Sequence, residues 1–393
     1  MLLPLKKFKQ RLLLLSLSTA YNLIPLAFNV IIAALVVRIL NASLWGEMVQ
    51  VLVWTGIAGN IMSWGNKDYL IRSFSADISS ISKEWHKSFG TRSLIFLIII
   101  LLIIPVPADL IVKSWVALYL TAKFLYQSYE PVIVFRRNFV ASILFESAGF
   151  IVVGAGILYF QPAGLTSLLC WFVLAEVLKA AGMVWLYRKE LLPLFFRNFE
   201  AGYLSAALSF FLLYFTGMLA SRIDVLAASY LLSNEAIAKY QVLISFVLSI
   251  QLIIPILLLP YVSIIYRMPV VSIRKMAFRL LIVGMLLCCV SVFAVSLILE
   301  FVYHFSYTPV TFLLAWLMAV PGFYFSPLIY RLFKNNQQQL VVRVALIFIC
   351  CSAILIAFFV FLVPDTFNAV LTAMAVVQWL QAITYFIIGR KLR

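Results

Sequence analysis

Apolar runs such as Ser93 to Val106, Ala345 to Val363 and Ala369 to Ile388 recur along the whole chain, separated by short polar breaks. A helix needs roughly 20 apolar residues to cross about 30 Å of hydrocarbon, and most of the runs approach that length. The alternation predicts helices near 12–37, 46–66, 92–112, 115–135, 139–160, 164–187, 204–227, 237–260, 277–300, 308–330, 341–363 and 367–389. In lipid only helices and closed barrels satisfy every backbone polar group, and these segments exceed the roughly ten residues of a tilted barrel strand. The pattern therefore predicts an all-α integral membrane protein with about twelve transmembrane helices. The first run follows Lys6, Lys7, Lys9 and Arg11 but is far longer than a signal-peptide core, so it reads as a retained helix.

Composition agrees: 65% of residues are hydrophobic and 11% charged, too few polar groups to clothe a soluble surface. The five cysteines, Cys170, Cys288, Cys289, Cys350 and Cys351, all lie in apolar runs without Cys-x-x-Cys spacing and read as packing residues.

Charge adds orientation. Lys and Arg gather in every second connection: Lys67, Arg72, Lys83, Lys87 and Arg92 after the second helix, then Arg136 and Arg137 after the fourth. Arg188, Lys189 and Arg197 follow the sixth, Arg267, Arg274, Lys275 and Arg279 the eighth, and Arg331, Lys334 and Arg343 the tenth; Arg390, Lys391 and Arg393 end the chain. Cationic loops stay cytoplasmic, so both termini are expected inside, and the net charge of +16 needs no nucleic-acid partner. Anionic lipid headgroups are compatible with the same residues.

The break after the sixth helix divides the chain into halves at 1–200 and 201–393, and the halves begin alike. Leu40-Asn41-Ala42-Ser43-Leu44-Trp45-Gly46 precedes helix 2, and Leu232-Ser233-Asn234-Glu235-Ala236-Ile237-Ala238 precedes helix 8. Each shows a leucine, a polar turn, a bulky apolar residue and a small one. Two six-helix halves in parallel repeat, around a central cavity, form a transporter architecture with access that alternates.

Two stretches carry a family resemblance. Arg38-Ile39-Leu40, Gly46 and Gly65-Asn66-Lys67-Asp68-Tyr69-Leu70-Ile71-Arg72 form the first; Arg222-Ile223-Asp224 with Ala238-Lys239-Tyr240 forms the second. The chain resembles the polysaccharide (O-antigen) flippases of the multidrug/oligosaccharidyl-lipid/polysaccharide exporter superfamily. The resemblance implies a flippase of lipopolysaccharide biosynthesis that moves an undecaprenyl-pyrophosphate-linked oligosaccharide across the bacterial inner membrane. It implies no cofactor, and as partners the lipid-linked substrate, with a polysaccharide polymerase and chain-length machinery alongside.

Ionisable groups inside spans are costly and mark cavities or partners. They are Lys123 and Glu130 in helix 4, Glu146 in helix 5, Glu176 and Lys179 in helix 6, and Arg222 with Asp224 in helix 7. Cations in a hydrated path would attract pyrophosphate, which makes Lys123, Lys179 and Arg222 candidate substrate contacts, with Arg38 and Lys67 as gate candidates. Glu130, Glu146, Glu176 and Asp224 are candidates for proton or sodium coupling. The plainer readings stand beside these: Glu176 and Lys179, at i and i+3, neutralise one another; Lys123 and Glu130 share a helix face; Arg222 snorkels. Arg222 and Asp224 point about 200° apart on an ideal helix and are not expected to pair.

Trp45, Trp54, Trp64, Trp85 and Trp115, several of them near span ends, read as interfacial anchors. Pro25, Pro105, Pro255, Pro260 and Pro321 are expected to kink or end helices, with Pro25 between Asn22 and Asn29 as a hinge candidate. A drug or metabolite antiporter of the same superfamily is the nearest rival and would favour acidic cavity groups. A polysaccharide polymerase would carry a large outer loop rich in Arg and His. The sequence has no Walker-A motif, and His86 and His304 form no metal-ligand pattern, so the chain is expected not to be an enzyme.

Overall fold

The computed structural model describes residues 2–196, 198–258, 265, 268–334 and 337–391. Arg197, Pro260, Arg267 and Arg393 lie outside the described residues. By internal contacts the chain divides into two compact units, Met1–Phe215 and Thr216–Arg393.

In the first unit α1 (Leu2–Leu35) runs into a π-helical turn (Val36–Leu40), followed by α2 (Ala42–Ser63), α3 (Asn66–Ala76) and a 3-10 turn (Ile78–Ser80). Then come α4 (Ile81–Ile103), α5 (Leu110–Arg136), α6 (Phe139–Phe160), α7 (Leu165–Tyr187) and α8 (Ala201–Ala220), which carries the chain into the second unit. That unit adds α9 (Ile223–Leu231), α10 (Asn234–Gln251), α11 (Ile253–Leu258) and α12 (Val270–Phe301). It closes with α13 (Pro309–Ala319), α14 (Pro321–Lys334), α15 (Gln338–Leu362) and α16 (Thr366–Lys391).

Every predicted span contains helix, and among the described residues ten helical segments are long and apolar enough to cross a membrane. The two remaining predicted spans are α2, of 22 residues, and α5, of 27. Of these, α5 buries Tyr119, Leu120, Phe124, Tyr126, Tyr129 and Ile133 and packs against α2, α3, α4 and α7. Polar side chains are tolerated in a span where neighbours shield them from lipid. The opposite case is α12, whose Phe278, Ile282, Leu286 and Phe293 form an exposed apolar stripe suited to hydrocarbon.

The two similar sequence segments fold as similar helix starts. Asn41, in extended conformation, caps α2 by accepting from the Leu44 N–H at 2.6 Å, and Ser233 caps α10 by accepting from Ala236 at 3.4 Å. The bulky Leu44 and Ile237 that follow are both buried, beside the small Gly46 and Ala238.

Three expectations change. The hydrophilic segment from Asn66 to Thr91 is not a loop: it forms α3 and the start of α4, because Leu70, Phe74, Trp85 and Phe89 recur at helical spacing and are all buried. Trp45 and Trp85 are likewise buried and not interfacial; the Trp85 indole donates to the Ser128 carbonyl at 2.8 Å. Pro25 sits inside an uninterrupted α1, whereas Pro321 opens α14 after a break and Pro105 lies just beyond α4.

The connection after α7 is tied to the first unit. Arg136 pairs with Glu190, the Tyr129 hydroxyl donates to the Leu191 carbonyl at 2.8 Å, and Lys87 meets Glu200 at 2.8 Å. The start of α8 then packs on the corner between α2 and α3, where Trp64 stacks on Phe211 and Gly65 adopts φ +66°. A Cβ on Gly65 would lie 2.6 Å from the Phe211 nitrogen, so the corner requires glycine on two counts. These ties explain why the first compact unit extends to Phe215, past the sequence break near 200.

Candidate functional site: a charged stripe in the N-terminal unit

On α5, Tyr119, Lys123, Tyr126 and Glu130 follow at steps of four, three and four, so helical geometry places them along one face. Each meets a different group. The Lys123 ammonium lies 5.5 Å from the Tyr119 ring centroid, and its stem passes so close to α2 that a Cβ on Gly59 would sit 2.9 Å from Lys123 Cε. Gly59 thus makes room for this lysine.

Tyr126 stands beside the densest charge cluster. Lys179 Nζ is 2.6 Å from Glu176 Oε1 on its own helix and 3.2 Å from Glu146 Oε2 on α6, and 5.3 Å from the Tyr126 ring. The Tyr126 hydroxyl in turn lies 2.9 Å from Ser142 Oγ. Gly149, one turn beyond Glu146, lets the Lys179 stem pass: a Cβ there would meet Lys179 Cδ at 3.3 Å. The expected pairing of Glu176 with Lys179 is therefore present and is enlarged by Glu146. All three side chains are largely buried, between 12% and 16% exposed. Shielding of this kind makes each charge depend on its partners.

Glu130 ends the stripe, near enough to the hydroxyl of Tyr21 on α1 for its charge to act on it. The ammonium of Lys67, on α3, lies 5.7 Å from the same Tyr21 ring. Tyr21 thus brings Lys67 and Glu130 to one place, a grouping across α1, α3 and α5 that the separate spans did not suggest.

Arg92 is the residue that sequence reasoning missed. Counted among loop cations, it is 1% exposed inside α4, because that helix begins eleven residues earlier, at Ile81. Its guanidinium donates to Ser128 Oγ at 2.9 Å, Ser88 Oγ at 3.2 Å and the Met62 carbonyl at 3.4 Å, and faces the Phe124 ring at 5.2 Å. Ser88 donates onward to Asn66 Oδ1 at 2.7 Å. Arg92 therefore fastens α4 to α5 and to the α2–α3 corner. The signal was present in Trp85, Ser88 and Arg92, spaced as one helix face.

The remaining candidates lie elsewhere. Arg38 is exposed on the π-helical turn. Arg222 and Asp224 belong to the second unit, where the span expected over 204–227 breaks between Ala220 and Ile223. Arg222 precedes α9 as its N-cap and Asp224 lies in its first turn, so the ideal-helix angle between them does not apply. Asp224 is 1% exposed; its Oδ2 accepts from the Tyr240 hydroxyl at 3.1 Å.

These features define a class: an all-helical, multi-pass membrane protein, with ten helices among the described residues long and apolar enough to cross a bilayer. Among solved structures the chain is similar to the lipid II flippase MurJ in an inward closed conformation. The TM-score is 0.71 at 12% identity, covering 95% of this chain and 87% of that one. It is also similar to an inward-facing multidrug resistance MATE family transporter of the MOP superfamily (TM-score 0.57, 13% identity, 93% of each chain). A MATE in a bent conformation gives a TM-score of 0.55 at 13% identity over 96% of this chain and 91% of that one. No protein-family model and no curated protein sequence matches the chain.

Proposed function

We propose that the chain is a flippase that carries a pyrophosphate-linked oligosaccharide on a polyprenyl lipid from the inner to the outer leaflet of the bacterial inner membrane by alternating access. The observation that carries this reading is the stripe on one face of α5, which holds a half-buried lysine and acid with two buried tyrosines. A likeness in fold to a lipid II flippase supports it. Lys179, held between two carboxylates, acts as a charge compensator; Lys123 and Lys67 are the cations we assign to phosphate oxygens. Both termini are placed in the cytoplasm on the distribution of Lys and Arg, and a polymerase with its chain-length machinery would take the product.

One observation favours a second reading, an antiporter of organic cations. The cluster at Lys179 has two acids for one base, which suits a cationic ligand or exchange of a proton or sodium ion. The test reconstitutes purified protein in liposomes with a fluorescent undecaprenyl-pyrophosphate oligosaccharide. Protein-dependent movement between leaflets, slowed by Lys123→Ala, supports the flippase. Absence of movement, together with gradient-driven export of an organic cation that Glu146→Gln abolishes, replaces it with the antiporter.

A further inference from the structure

Three of the breaks between helices in the second unit converge. The breaks fall at Ser221–Arg222, between α8 and α9; at Leu252, between α10 and α11; and at Val320, between α13 and α14. Two have a covalent cause, because Pro255 and Pro321 lack the N–H that the carbonyls of Gln251 and Leu317, four residues earlier, would accept. At the third, the Ser221 hydroxyl donates to the Met218 carbonyl at 2.8 Å and competes with the helical ladder.

All three breaks border one cavity of about 230 Å³, whose polar lining includes Ser221, Gln251, Ser326, Gln378 and Gln381. Its described lining contains no acid, no lysine, no arginine and no histidine. Gln251 donates through Nε2 to the Met318 carbonyl at 3.2 Å, joining the second break to the third. The Gln378 side-chain oxygen is buried and has no partner. Phe325 contributes an aromatic ring to the same wall.

The chemistry narrows the occupant. A phosphate or a metal cation entering here would find no compensating charge, which buried ions require. A hydrocarbon tail would leave the Gln378 oxygen stranded. A neutral ring bearing several hydroxyl or amide groups matches amides that donate and accept, with an aromatic face beside them. The volume is below the roughly 300–1,000 Å³ of a drug-sized site and is on the scale of a single ring.

We propose that this cavity seats one uncharged sugar ring of the translocated lipid, so that the second unit reads the glycan. The proposal rests on the flippase reading.

The full chain in liposomes is given two probes, undecaprenyl pyrophosphate without sugar and undecaprenyl-pyrophosphoryl-N-acetylglucosamine, and the rate ratio is read. The wild type is expected to prefer the glycosylated lipid. Gln378→Leu and Gln381→Leu each lower that preference about fivefold, the worth of one neutral hydrogen bond of about 1 kcal/mol, while the rate for the bare lipid stays. Gln378→Asn and Gln381→Asn, which keep the amide, give intermediate losses and serve if a leucine variant does not fold. An unchanged ratio in folded variants, or equal loss for both lipids, overturns the proposal. Equal wild-type rates for the two lipids overturn it while leaving the flippase standing; movement of neither lipid removes the flippase reading and this proposal with it.

Discussion

The N-terminal unit gathers ionised side chains on intact helices, α5 to α7, whereas the C-terminal unit lines its cavity with amides where helices break. The difference is one of energetic style. A charge out of water needs opposite charge or several hydrogen bonds, so the first unit is locked where Lys179 meets its two acids and where Arg92 meets Ser88, Ser128 and the Met62 carbonyl. A broken helix exposes backbone groups that side chains can satisfy one at a time, so the second unit obtains a polar wall without a charge. The first arrangement holds a fixed field; the second offers replaceable hydrogen bonds.

The largest expected effect breaks this comparison directly. Lys179→Met leaves Glu146 and Glu176 without their shared partner, and losing one member of a buried set costs about 3–5 kcal/mol. Because each side chain retains 12–16% exposure, the lower end is expected. Replacing both acids by glutamine as well should restore most of the loss. In the other unit Gln378→Leu should change stability by no more than about 1 kcal/mol. Denaturant unfolding in detergent measures both, and equal losses would show that the two units do not differ in this way.

Next comes the corner that ties α8 to the first unit. Gly65→Ala places a Cβ 2.6 Å from the Phe211 nitrogen at φ +66°, a strain of about 1–3 kcal/mol. Gly56→Ala, in the interior of α2 with no atom within 4 Å of its Cβ, should instead stabilise by about 0.5–1 kcal/mol. Opposite signs from two glycines nine residues apart make the pair its own control, read from unfolding midpoints.

The spans were legible because lipid imposes length and apolarity on each span separately. The pairing of Glu176 with Lys179 was legible as a spacing on one helix. What escaped was tertiary: Tyr21 joining Lys67 to Glu130, and Glu146 joining the Lys179 pair, depend on which helices pack together. Arg92 escaped for a different reason. Charge in a polar stretch was read as solvent exposure, when the apolar Trp85 and Phe89 beside it already marked a buried helix face. The helix breaks at Leu252 and Val320 were hidden inside apolar runs that remain continuous in hydropathy, with Pro255 and Pro321 as the available clues.

The shared helix starts sharpen the comparison on a smaller scale. Asn41→Ala and Ser233→Ala each remove a cap, worth about 0.5–2 kcal/mol. The 2.6 Å bond of Asn41 should place it near the upper value and the 3.4 Å bond of Ser233 near the lower. A reversed order in unfolding experiments would mean that cap geometry does not distinguish the two units.

The smallest effect concerns the connection held on the first unit. The Arg136 guanidinium beside Glu190 keeps that carboxyl below the usual carboxylate range. A depressed native value means that the pair's contribution is complete above the ordinary glutamate range and fades as pH falls through the native value. Both side chains are substantially exposed, 35% and 57%, so the contribution is at most about 1 kcal/mol and shrinks with salt. The same residue presents its carbonyl to the Ser82 hydroxyl at 3.2 Å, and its neighbour Leu191 accepts from Tyr129, so the segment stays attached when the carboxyl is protonated. Acid should therefore loosen the connection without releasing it: limited proteolysis after Tyr187 should rise modestly from pH 7 to 4 in the wild type. Glu190→Gln should show the raised rate already at pH 7 and a flatter pH profile. A variant that keeps the full wild-type acid response would assign that response to other carboxylates and leave this ion pair without a role in holding the connection.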